Sequence, residues 1–147
     1  MPQKLLLATV AILMALGAVG MSAQPADAFG PRPFIKMWVA NDGVVQQALE
    51  RAQRNPTRQQ LMRVLREAAR ADTRIITWIR EHQATACQRR YTPVIIKRGV
   101  EARRSYKAAA RAVRDYRFGL FDQQLTRAVR FQNGMAKVAV QMIYACP

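Results

Sequence analysis

A chain of 147 residues, half of them apolar, carries enough material for one folded domain and excludes a disordered basic tail. Its 24 lysines and arginines against nine acidic residues leave a formal charge of +15. A solvated arginine-rich face accounts for a few units of such charge but poorly for fifteen, because like charges repel in the folded state, so the balance points to anion binding.

The first element in chain order is an export signal. Lys4 gives a positive start, an apolar run follows from Leu5 to about Met21, and Ala26-Asp27-Ala28 supplies the small residues of a cleavage site. Cleavage after Ala28 assigns residues 1–28 to a signal peptide and sends the remaining chain to the periplasm or the exterior. The alternative is an uncleaved anchor, for which the apolar run is short. Lys4 and Asp27 cancel, so the whole +15 stays on the exported part.

Residues 29–40, FGPRPFIKMWVA, contain Pro31 and Pro33, which favour an extended path. An extended N-terminal arm is therefore expected. Phe34, Ile35, Met37, Trp38 and Val39 pack it along the rest of the protein or offer it to a partner. A helical bundle domain is expected over residues 41–147.

Asn41-Asp42-Gly43 reads as a turn and cap before a short helix over residues 44–54, with Val45, Leu49 or Ala48, and Ala52 inward. Asn55-Pro56-Thr57 ends it, and Thr57 caps a long helix reaching about Arg90. The stripe of that helix is Leu61, Leu65, Ala68, Asp72, Ile75, Ile79, His82 and Ala86, spaced by fours and threes. Asp72-Thr73 is expected to kink or break it. A third helix spans residues 93–118, with Ile95, Gly99, Ala102, Tyr106, Ala109, Val113, Tyr116 and Leu120 on its stripe. Gly119 is placed to end it in a left-handed conformation. Asp122 then caps a fourth helix over residues 123–145, striped by Leu125, Val129, Gln132, Ala136, Ala139, Ile143 and Cys146 and weakened at Asn133-Gly134.

About four helices with short connections make an all-α, antiparallel, up-and-down bundle. In that order the second and fourth helices end at the same end of the bundle, which is where Cys87 and Cys146 fall. Two cysteines in an exported chain then predict one disulfide, Cys87–Cys146.

The candidate binding residues are basic ridges. Arg103, Lys107, Arg111 and Arg114 follow steps of four, four and three on the third helix, with Arg104 beside them; Arg63, Arg66, Arg70 and Arg74 do the same on the second. Glu67 is spaced to pair with Arg63 or Arg70, and Glu101 with Lys97 or Arg104. Anionic lipid, lipopolysaccharide, a cell-wall polymer or an acidic protein suits these ridges and the compartment. Nucleic acid suits them less, since Tyr106 and Tyr116 lie on the buried stripe rather than between the basic residues.

A second reading is a protein-interaction module, with a homodimer as one form of it, working through the 29–40 arm and residues 135–146, which are apolar nearly all round. A small-ligand or redox enzyme is a distant third. No catalytic, cofactor-binding or metal-ligating residue is assigned. The chain has no nucleophile motif and no glycine-rich phosphate loop, and neither cysteine belongs to a C-x-x-C-H run. The only histidine, His82, reads as a core or interface residue, and Asp72 as a helix cap or the buried partner of an arginine.

Overall fold

The computed structural model describes residues 29–147; the export signal expected over residues 1–28 lies outside the described residues. Helix α1 spans Pro31–Ala52 and α2 spans Arg58–Glu81. A 3₁₀ turn at Gln88–Arg90 leads into α3, Thr92–Arg114, and α4 covers Phe118–Ala145. Among the described residues there is no strand.

The extended arm expected over residues 29–40 is instead the start of α1. Pro31 and Pro33 fall in the first helical turn, where a backbone N–H has no intrahelical acceptor to lose and the proline ring has no preceding turn to strike. Phe34 N donates to Gly30 O at 3.1 Å and closes that turn. The Asn41-Asp42-Gly43 turn is likewise absent. Asn41 donates its side-chain amide to Met37 O at 2.9 Å, inside a continuous helix. A mid-helix glycine costs about 1 kcal/mol. Burying Phe34, Ile35, Trp38, Val45 and Leu49 along one unbroken face outweighs it, at roughly 1.5–3 kcal/mol for each large side chain.

Thr57 caps α2 as expected, through a reciprocal box. Its hydroxyl accepts from Gln60 N at 3.2 Å, and Gln60 Oε1 accepts from Thr57 N at 2.8 Å. The helix does not break at Asp72-Thr73. Ala68, Ala69 and Ala71 favour helix on its N-terminal side, and the Thr73 hydroxyl is satisfied within the helix by Ala69 O at 2.9 Å. It ends at Glu81, well short of Arg90. His82 adopts extended backbone, and its Nδ1 lies 2.8 Å from Trp78 O while its ring stacks on the Trp78 indole at 3.9 Å.

The boundary between α3 and α4 also moves. Tyr116 N donates to Val113 O and Arg117 N to Ala112 O, the bonding pattern of a Schellman cap. Tyr116 holds the left-handed position at φ 55°, where glycine is usual. It leaves the stripe predicted for it, is 65% exposed, and lies under the Arg58 guanidinium at 4.5 Å. Gly119 thus lies inside α4, which begins at Phe118 without a cap from Asp122. Asn133-Gly134 does not interrupt α4 either. Arg98 Nη1 donates to Gly134 O at 2.7 Å, and a Cβ on residue 134 would collide with that guanidinium.

Cross-helix contacts establish the direction of each pair. Arg51 meets Glu67 and Asn41 meets Arg74; Arg58 meets Arg114 and Ile76 meets Gly99; Glu101 meets Arg127 and Arg98 meets Gly134. In each pair one number rises as the other falls, so successive helices are antiparallel and the bundle runs up-down-up-down. The Cys87–Cys146 disulfide joins the segment after α2 to the end of α4, with Cα atoms 5.8 Å apart.

The core comprises two apolar clusters. One holds Val45, Leu49, Leu65, Ala102, Tyr106, Val113 and Leu125, and the other Phe34, Trp38, Ile75, Ile95, Met135 and Ile143. Asp42, Asp72 and Gln132 are buried at the sequence positions between the two.

Candidate functional site

Antiparallel packing of α2 on α3 brings the middle of one basic ridge against the end of the other. Arg66, Arg70 and Thr73 from α2, with Lys107, Arg111 and Arg114 from α3, line a groove of about 370 Å³. Its floor is small: Ala69 and Ala110 are buried and let the two backbones approach. Basic residues three or four apart on each helix lie about one turn, or ~5–6 Å, from the next along the groove walls.

Among the described residues Arg114 alone of these cations makes an ion pair, with Asp115 at 2.7 Å. That hydrogen bond holds the exposed Asp115 carboxyl below its ordinary range. Glu67 does not serve Arg63 or Arg70; it turns across to Arg51 on α1 at 3.4 Å. Arg66, Arg70, Lys107 and Arg111 therefore face the groove with no acidic partner among the described residues. Two unit charges ~7 Å apart in water repel by about 0.6 kcal/mol, a cost that an anion in the groove reverses.

The other four ridge residues lie elsewhere. Arg63 is exposed outside the groove lining. Arg74 Nε donates to Asn41 Oδ1 at 2.6 Å and ties α2 to α1. Arg104 pairs with Glu101 at 3.1 Å, and Arg127 takes the other oxygen of that carboxylate at 3.2 Å. Arg103 is half-buried and acts on the bundle interior, lowering the proton affinity of Asp72.

That interior holds polar groups that sequence spacing did not assemble. Asp72 is 0% exposed, and neither carboxylate oxygen has a hydrogen-bond partner. Asp42, expected in a turn, is 5% exposed and accepts from Gln132 Nε2 at 3.2 Å. Tyr106 and Gln132 are also buried, and the Tyr106 hydroxyl and Gln132 Oε1 lack partners. The only signal in the sequence was that Asp72 and Gln132 interrupt apolar stripes. That Asp42 joins them depends on α1 being continuous. Among the described residues no three of His, Cys, Asp and Glu gather as metal ligands.

The apolar end of α4 is largely covered. Met135, Ala136, Ala139, Met142 and Ile143 are buried, Val138 and Val140 half-buried, and Tyr144 projects into solvent. Among the described residues no helix is long and apolar enough to cross a membrane. No protein-family model matches this chain, and neither a curated protein nor a solved structure matches it.

Proposed function

We propose that this is an exported, non-enzymatic helical protein that binds a polyanion of the cell envelope in the groove between α2 and α3. One observation carries the reading. Arg66, Arg70, Lys107 and Arg111 converge on one groove, and among the described residues none of them forms an ion pair. Their partner is therefore sought outside the described chain. The groove floor is alanine and threonine, with no aromatic face for a base and no apolar channel for an acyl chain. Contact with the polymer is through its charged groups, and arginine's planar fork suits phosphate or carboxylate oxygens in pairs. The surfaces that would serve a protein-interaction module, at the start of α1 and the end of α4, contribute Phe34, Trp38, Met135 and Met142 to the bundle's own core.

The test is binding of the mature protein to vesicles of anionic lipid, to lipopolysaccharide and to an acidic cell-wall polymer, each across a range of salt. Affinity for the cognate polyanion is expected to fall steeply as salt rises, because exposed charges are screened beyond ~8–10 Å at physiological ionic strength. The triple variant Arg70→Glu, Lys107→Glu, Arg111→Glu is expected to lose at least tenfold in affinity while Arg63→Glu loses little. Equal loss in both variants would reduce the groove to a share of the general charge. Binding indifferent to salt would refute the reading.

A further inference from the structure

We propose that Asp42 and Asp72 form a proton-binding site at the waist of the bundle, holding one proton between the two carboxyl groups in the folded state, and that the bundle loosens when this proton departs to solvent. The site is independent of the groove and opens on no surface.

The geometry begins with where the two residues stand. Asp42 on α1 and Asp72 on α2 lie at the level where the two apolar clusters meet, and Tyr106 on α3 and Gln132 on α4 complete the ring of four helices. Every helix contributes at least one polar side chain. The groups whose charge or hydrogen bonding acts on the pair are Arg103 and Tyr106 from α3 and Gln132 from α4, with Gln46, one turn along α1, assisting Asp42. Among the described residues the Arg103 guanidinium is the one cation acting on the pair, and it makes no ion pair with either carboxylate.

Two carboxylates that interact in a dry interior cannot both remain ionised, because burial and mutual repulsion act in the same direction. Burial first, then the Asp42 charge, pushes Asp72 well above its ordinary range, and burial also raises Asp42. The hydrogen bonds decide where the proton sits. Gln132 Nε2 donates to Asp42 at 3.2 Å and favours its ionised form, whereas Asp72 is the more deeply buried and on it burial outweighs the help it draws from Gln132. The proton therefore resides mainly on Asp72. Tyr106 does not compete, since burial and the neighbouring carboxylates hold its hydroxyl in the neutral form.

The direction of the effect on stability follows. The folded state binds a proton that the unfolded chain releases near the ordinary aspartate value of 3.8. Stability from the pair is fully present below that value and falls as pH rises toward the folded pKa, by up to about tenfold in the folding equilibrium constant per pH unit. The bundle is thus tightest in mild acid. Asp115, whose carboxyl is lowered by Arg114, acts oppositely and only at the acid end.

The experiment is urea unfolding of the mature, disulfide-intact protein from pH 4 to 9, comparing wild type with Asp72→Asn. Asparagine keeps the shape of the neutral acid and cannot lose the proton. The wild type is expected to weaken progressively above pH 4, and Asp72→Asn to lose most of that slope, keeping only the smaller part that the buried Asp42 contributes. A flat wild type, or a slope unchanged in Asp72→Asn, would overturn the proposal. Should the variant fail to fold, infrared spectroscopy of the wild type decides. At pH 6, above the range of ordinary carboxylates, the carbonyl stretch of a protonated acid is expected in the folded protein and lost on unfolding. Its absence would overturn the assignment.

Discussion

Replacing both members of the Cys87–Cys146 bridge by alanine removes a link that closes a 59-residue separation around α3 and α4. On the chain-entropy estimate, a loop of ~60 residues loses about 4 kcal/mol of denatured-state entropy at 25 °C when closed. The native ends are well placed for closure, since Cys146 is buried against Met142 and Ile143 in the cluster that also contacts Cys87. Alanine at residue 146 additionally removes a buried sulfur, a loss of roughly 1 kcal/mol. We therefore expect Cys87→Ala/Cys146→Ala to be about 4–5 kcal/mol less stable than wild type, a large part of the stability of a domain this size. Urea unfolding followed by circular dichroism measures the global term. Amide hydrogen exchange separates it from local fraying, which should be confined to the 82–91 segment and the last turn of α4. A loss below ~1 kcal/mol, with exchange raised only at those ends, would show that the bridge staples a local contact and does not restrict the unfolded chain. The entropic reasoning would then be wrong.

The remaining predictions address the two places where helices are started and fitted together. Thr57→Ala removes the hydroxyl that caps α2 and leaves Gln60 N without its acceptor; a loss of about 1 kcal/mol is expected, seen as a shift of the urea midpoint with unchanged slope. Gly99→Leu places a side chain where a bare Cβ already meets Met135 Sδ at 2.9 Å and Ile76 Cγ1 at 3.2 Å, between three helices. Overpacking by about 3 kcal/mol is expected there, lowering the thermal midpoint by more than 10 °C, whereas leucine at the exposed Gly119, with nothing within reach of a Cβ, should be tolerated.

Most of the sequence expectations that failed are breaks placed where the chain stays helical. Pro31, Pro33, Gly43, Asp72 and Gly134 are each local signals for ending or avoiding a helix, and each lies within one. Pro31 and Pro33 occupy the turn in which proline is harmless. Gly43 and Asp72 sit on helices whose apolar faces are continuous on both sides. Gly134 is small because Arg98 packs over it. At Gly43, Asp72 and Gly134 tertiary packing exceeds the ~1 kcal/mol that local propensity can exert, whereas at Pro31 and Pro33 there was no cost to overcome. Tyr116 is the converse, a residue counted in the stripe whose backbone had already turned out of the helix.

The helical class, the antiparallel order and the cysteine pairing were determined by the sequence alone, because periodicity and connection length constrain them without knowledge of any contact. The ridges were legible for the same reason, as residues three and four apart share a face. Only the tertiary structure decided which of the nine ridge residues face one another. It directs Arg74 to Asn41, Arg104 to Glu101 and Arg103 toward the interior, and leaves Arg66, Arg70, Lys107 and Arg111 around one groove. It also decided the meeting of Asp42 with Asp72. Helical spacing orders the faces of one helix, but the rotation of one helix against another is set by side-chain packing across the interface, and no single segment carries that information.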